Sequence, residues 1–180
     1  MAFLRNRFPK LQQTVAVFAI TSMLIYGWTT YRFLQKLPSW LYYLNFQEIF
    51  SNYSYTVVFN FVECLIFVSA IILLNFILPK KIFMDMFVAR GSLLSLFGVG
   101  YLIYLAIAIG DSKATQFPWE LFGFAKYIVP VIVVASILMP LVTPIRKALE
   151  TFAENATIFL YLLLPLSAVG LIVVVANNLF

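Results

Sequence analysis

Five apolar stretches, each about the length a helix needs to cross a bilayer, dominate this chain. They run Thr14–Phe33, Tyr53–Leu78, Ser92–Ile109, Leu121–Val142 and Ala156–Ala176. The breaks between them carry the residues that stop helices or seek water: Pro38-Ser39, Pro79-Lys80-Lys81, Gly110-Asp111-Ser112-Lys113 and Pro144-Ile145-Arg146-Lys147. In lipid every backbone polar group must be satisfied within the segment or by a closed barrel, and barrel strands would be half as long and alternating. The fold class expected is therefore all-α: a polytopic integral membrane helical bundle of five transmembrane helices, residues 1–180 forming one transmembrane domain.

Composition agrees with that reading. Of the 180 residues, 63% are hydrophobic and 11% charged, more apolar surface than a water-soluble fold of this size can cover. The net charge of +5 calls for no nucleic acid, because the basic residues sort by side. Arg5, Arg7, Lys10, Lys80, Lys81, Arg90, Arg146 and Lys147 fall on one side of the five-span scheme, against Arg32, Lys36, Lys113 and Lys126 on the other. The positive-inside rule then places Met1 in the cytoplasm and Phe180 outside, and the plasma membrane is the expected location. The stretch Tyr26-Gly27-Trp28-Thr29-Thr30-Tyr31 is too bulky for a signal-peptide cleavage site, so the first span is expected to be retained.

Two amphipathic segments flank the spans. Residues 37–50, opened by Pro38 and carrying Trp40, Leu44, Phe46 and Phe50 at helical spacing, are expected to form a short interfacial helix between the first and second spans. On the other side, Lys81 and Asp85 stand at i, i+4, a solvated pair of small weight. Asn52-Tyr53-Ser54 matches a glycosylation acceptor, a pattern frequent by chance.

The inventory of reactive side chains is short. With no histidine, histidine-ligated haem, histidine-built zinc sites and Ser-His or Cys-His nucleophile pairs are excluded. The single cysteine, Cys64, sits among Val62, Leu65 and Ile66 and reads as a buried inert thiol. Asp85 and Asp111 fall on opposite sides and form no dyad, and Gly98-x-Gly100 lies in a helix, where it is no nucleotide loop. No cofactor, metal site or catalytic set is expected, and the chain is read as a non-enzyme.

What is left is polar residues at depth. Glu63 is the one acid deep within a span, roughly 14 Å from the end of its helix at 1.5 Å per residue. An ionised carboxylate there has to be paired, protonated or bathed by a water-filled cavity. Asn60, three residues earlier, shares its side of the helix, and Lys126 in the fourth span is the nearest basic candidate by depth; the structural reading of Glu63 is a Glu63–Lys126 lock between the second and fourth helices, and the functional reading is a proton or cation site. Asn75 is expected to bond across helices. Gly91, Ser95 and Gly98 give the third span a small-residue face for close approach, and Pro130, Pro140 and Pro165 are candidate kinks. Two functions are compatible with this set. One is a non-catalytic membrane subunit or scaffold, with the lipid bilayer and other membrane subunits as partners. The other is a small transporter or channel, proton- or cation-coupled through Glu63. A transporter calls for polar groups from several helices to converge on Glu63, and a subunit for a single locking partner.

Overall fold

In the computed structural model, residues 8–79, 83–111 and 123–179 are described, and all the regular structure among them is helical. Five helices follow in order: α1 Leu11–Trp40, α2 Phe46–Ile77, α3 Phe87–Asp111, α4 Ala125–Leu138 and α5 Thr143–Leu179. One-turn 3-10 segments, Met84–Met86 and Met139–Leu141, lead into α3 and follow α4. Four helices, α1, α2, α3 with its 3-10 lead, and α5, are long and apolar enough to cross a membrane, and they support a multi-pass membrane protein. The fourth apolar unit, Ala125–Leu141, is shorter. Met1, Arg5, Arg7, Lys80, Lys81 (with the Lys81–Asp85 pair), Lys113, the start of the expected fourth span at Leu121 and Phe180 lie outside the described residues.

Contacts between helices fix their directions. Gly91 and Ser95 of α3 meet Val17 and Thr21 of α1 in the same order. Ala153, Ala156 and Leu160 of α5 join Ala16, Ala19 and Ile20 of α1 in one cluster, and Ser167 continues it upward to Tyr26. Helices α1, α3 and α5 are thus parallel. α2 runs against them, with Gly170 of α5 packed on Ser54 and Asn177 bonded to Ser51. α4 packs chiefly on α3. The bundle has a hairpin end, at the turn joining α1 to α2, and an opposite end where Lys10, Arg90 and Arg146 lie.

α1 is the central helix, packed on α2, α3 and α5, and its buried face sets the small or hydroxylated residues Ala16, Ala19, Thr21 and Ser22 beside Val17, Ile20 and Tyr26. The facing stripe of α5, Ala153, Ala156, Leu160, Ser167 and Gly170, is of the same kind. In lipid no hydrophobic drive pulls helices together, so small faces that let backbones approach supply the attraction. Serine and threonine serve here because each can give its proton to a carbonyl one turn back. Ser54 does so to Phe50, Ser92 to Val88, Ser136 to Ile132 and Ser167 to Leu163, and Thr21 and Ser95 each lie within reach of such a carbonyl, at Val17 and Gly91.

Two expected boundaries are corrected. Residues 37–50 form no separate interfacial helix: α1 continues through Pro38 to Trp40, a turn occupies 41–45, and α2 starts at Phe46. Pro38 has no N–H to give to the Leu34 carbonyl, and α1 ends within one turn of it, where Phe33 meets Trp40 edge-on at 5.6 Å. The stop of α1 and the start of α2 are set instead by Asn45, whose backbone N–H donates to Glu48 Oε2 at 2.8 Å, half of a capping box. At the other end, Pro144-Ile145-Arg146-Lys147 is no loop but the first turn of α5, thirteen residues before the expected start at Ala156. Proline is tolerated in a first turn because its missing N–H would have no partner there. Arg146 Nε donates to Glu150 Oε1 at 2.9 Å along this added stretch.

Candidate functional site

The inward face of α2 is the stripe Ser54, Val57, Asn60, Cys64, Val68, Ile71 and Asn75, all buried. Cys64 is fully enclosed, as expected of an inert thiol. Ser54 belongs to this packed face and donates to the Phe50 carbonyl, while Asn52 of the Asn52-Tyr53-Ser54 motif is exposed. Asn60 and Asn75 both sit on the stripe, Asn75 as its last member, and belong to the packing of the bundle. Glu63 does not. Three residues on from Asn60 it is turned about 60° around the helix, which carries it off the stripe to an exposed position.

There Glu63 lines a groove of about 540 Å³ walled by α1, α2 and α3. Ile25 and Trp28 of α1, Ile66 and Phe67 of α2, and Val99 and Leu102 of α3 form most of its apolar surface. Beside the groove α3 packs closely on α2: a Cβ on Gly98 would stand 2.7 Å from Cζ of Phe67. Thr29, the nearest hydroxyl on the wall, already bonds to the carbonyl of Ile25. Among the described residues the Glu63 carboxylate has no hydrogen bond and no ion pair, Arg146–Glu150 being the ion pair found.

The expected Glu63–Lys126 lock is therefore absent. α4 packs on α3, away from α2, and the Lys126 ammonium lies 4.9 Å over the ring of Tyr127 on its own helix.

The small face of α3 is used up inside the bundle. A Cβ on Gly91 would stand 2.8 Å from Cγ2 of Val17, and Ser95 Oγ lies 2.8 Å from Thr21 Oγ1. Gly91, Ser95 and Gly98 hold α3 to α1 and α2 rather than presenting a face to the surroundings. The residues that sequence reasoning missed are of the same structural kind. Tyr26 OH lies 2.6 Å from Ser167 Oγ and 3.2 Å from the carbonyl of Val57, joining α1, α5 and α2 at one point. The signal that could have found them is the small-residue spacing Ala153-x-x-Ala156 and Ser167-x-x-Gly170 in α5.

A second groove, about 1020 Å³, opens between α1 and α5 near the opposite end, with Gln12, Glu150 and Glu154 at its polar mouth and Leu160, Tyr161 and Leu164 beyond. Also at that end is Arg90, read from the sequence as a loop residue. It stands in the first turn of α3 and is only 4% exposed. No group of three side chains suited to holding a metal occurs among the described residues. No protein-family model matches this chain, and neither do curated proteins or solved structures.

Proposed function

We propose that this chain is a non-catalytic subunit or scaffold of a larger membrane assembly, and that the Glu63 groove is where a transmembrane helix of a partner subunit seats. The observation that carries the reading is a lone carboxylate, without a partner among the described residues, on the wall of an apolar groove that faces outward from the bundle. Lipid offers such an acid nothing at this depth, whereas a neighbouring helix can bring a basic or hydroxyl-bearing side chain to it. A pathway through the bundle itself has less support, because the polar groups of the interior are spent on closing α1 against its neighbours.

In this reading the chain crosses the bilayer five times, with the opposite end, rich in Lys and Arg, in the cytoplasm. The parallel course of α1, α3 and α5 supports it: the chain between Asp111 and Thr143, which includes α4, has to return the length of the bundle.

The alternative is a proton- or cation-coupled channel or transporter formed by several copies, with Glu63 from each facing a shared path. Purification in a mild detergent separates the two. A subunit co-purifies with different membrane proteins, and Glu63→Leu strips them away while the chain stays folded. If the chain instead forms a homo-oligomer that passes cations and loses that flux in Glu63→Gln, the transport reading replaces the subunit reading.

A further inference from the structure

The groove between α1 and α5 encloses about 1020 Å³, at the top of the range that takes a single ligand. On α5 its lining runs from Glu150 to Pro165, about 22 Å at 1.5 Å per residue. One leaflet with its headgroups is half of the roughly 40–45 Å thickness of a bilayer, so the groove is as long as a leaflet is deep. Its chemistry changes where that of a lipid does. Glu150, Glu154 and Gln12 stand ahead of the apolar stretches that start at Ala156 and Thr14, and Leu160, Tyr161 and Leu164 lie within the α5 stretch. Tyr161 is 85% and Leu164 46% exposed, which leaves this apolar part open sideways to acyl chains. A partner's transmembrane helix would need a seat running the full depth of the membrane, and this one stops at Pro165.

The mouth of the groove is selective in charge. Lys10, Arg90 and Arg146 make this end of the bundle basic, yet among the described residues the groove is lined by two carboxylates and by no Lys or Arg. Glu150 and Glu154, four residues apart, share a side of α5. Glu150 accepts from Arg146 Nε at 2.9 Å, whereas Glu154 has no ion pair among the described residues. On α1, Gln13 Oε1 accepts the Lys10 backbone N–H at 3.1 Å, which leaves the Gln13 amide N–H groups to donate. Carboxylate acceptors on α5 thus face amide donors on α1 at the level of the headgroups.

We propose that this groove holds one ethanolamine phospholipid of the adjacent leaflet. Its ammonium meets Glu154 and Glu150, its phosphate takes the amide N–H groups of Gln12 and Gln13, and an acyl chain lies along Leu160 and Leu164. A primary ammonium offers three N–H donors to carboxylate oxygens. The trimethylammonium of choline offers none, and a glycerol headgroup sets its phosphate charge beside two acids with no cation to offset it. This site is independent of the Glu63 groove and stands or falls separately from it.

The test uses the full chain, purified in a neutral detergent and loaded in turn with phosphatidylethanolamine, phosphatidylcholine and phosphatidylglycerol of identical acyl chains. Native mass spectrometry reads how much of each is retained. Phosphatidylethanolamine should be retained about three- to tenfold better than phosphatidylcholine, the worth of a charge-assisted hydrogen bond near a surface, and phosphatidylglycerol least. Glu154→Gln changes an exposed position and leaves the Arg146–Glu150 pair intact, so the variant should fold. It should lose most of the preference for phosphatidylethanolamine over phosphatidylcholine. Glu154→Lys should turn the order round, with phosphatidylglycerol retained best. Leu164→Trp, which fills the apolar part of the groove, should lower retention of all three. Equal retention of the three lipids by the parent chain overturns the proposal, as does a preference that persists in both Glu154 variants. A protein adduct from a photo-crosslinking residue at Leu164 in the native membrane would overturn it in favour of a protein contact.

Discussion

The hydroxyls of Thr21 and Ser95 lie 2.8 Å apart where α1 crosses α3, one turn from the point at which Gly91 presses against Val17. Each hydroxyl also reaches the carbonyl one turn back in its own helix. With one proton apiece, one of them bonds at home and the other donates across. The crossing therefore combines close backbone approach with a hydrogen bond between helices, the two attractions available inside a bilayer. Gly91→Leu should destabilise the bundle by about 1–3 kcal/mol through overpacking, and Val17→Ala should recover part of the loss. Ser95→Ala should cost about 1 kcal/mol or less. Denaturant unfolding of the purified single and double variants measures all three.

Tyr26 ties three helices through one hydroxyl. Its proton goes to Ser167 Oγ or the Val57 carbonyl, while Ser167 passes its own to Leu163. Tyr26→Phe keeps the ring and removes the bond, at an expected cost of about 1 kcal/mol. Ser167→Ala should cost a similar amount, and the double variant less than the sum, because both changes delete the same contact. A double-mutant cycle on unfolding free energy checks this.

The packing of α3 is legible in the sequence because it depends on spacing along one helix: Gly91 and Ser95, four residues apart, share a face whatever the rest of the chain does. The Glu63–Lys126 pair fails for the complementary reason. Hydropathy gives the depth of a residue, but which way it faces depends on how α4 is rotated and which helix it packs on, and no local pattern encodes that. Charge misleads in a different way at Arg90 and Arg146. Both read as loop because they mark the edge of an apolar window, yet each sits in the first turn of a helix, α3 or α5, that starts well before its apolar stretch. Proline misleads at Pro38 and Pro144, which stand in terminal turns where a helix can hold them.

Glu63 should tolerate Leu better than Lys. The groove around it is apolar, so Glu63→Leu removes a costly charge, while Glu63→Lys leaves a charge there with no acid beside it. Folded yield from membranes and thermal unfolding of the two variants should fall in that order, with Glu63→Leu equal to or above the parent. A Glu63→Leu variant that fails to fold would mean the carboxylate is held within the chain after all.

Reporter fusions test the course of the chain. The residues from Lys80 to Arg90 follow the end of α2 that points away from Ser51, while Asn177 of α5 is bonded to Ser51 itself. A reporter placed between Lys80 and Arg90 and one fused after Phe180 should therefore sit on opposite sides, the first in the cytoplasm. Both on one side would contradict the five-span arrangement.

The most direct measurement for the proposed role is a photo-crosslinking residue at Ile66, on the wall of the Glu63 groove, activated in the native membrane. The expected result is a discrete adduct with one other membrane protein, lost in Glu63→Leu, while the same probe at Tyr161 on α5 gives no such adduct. Labelling of lipid alone from Ile66, with the chain recovered as a monomer, would contradict the account.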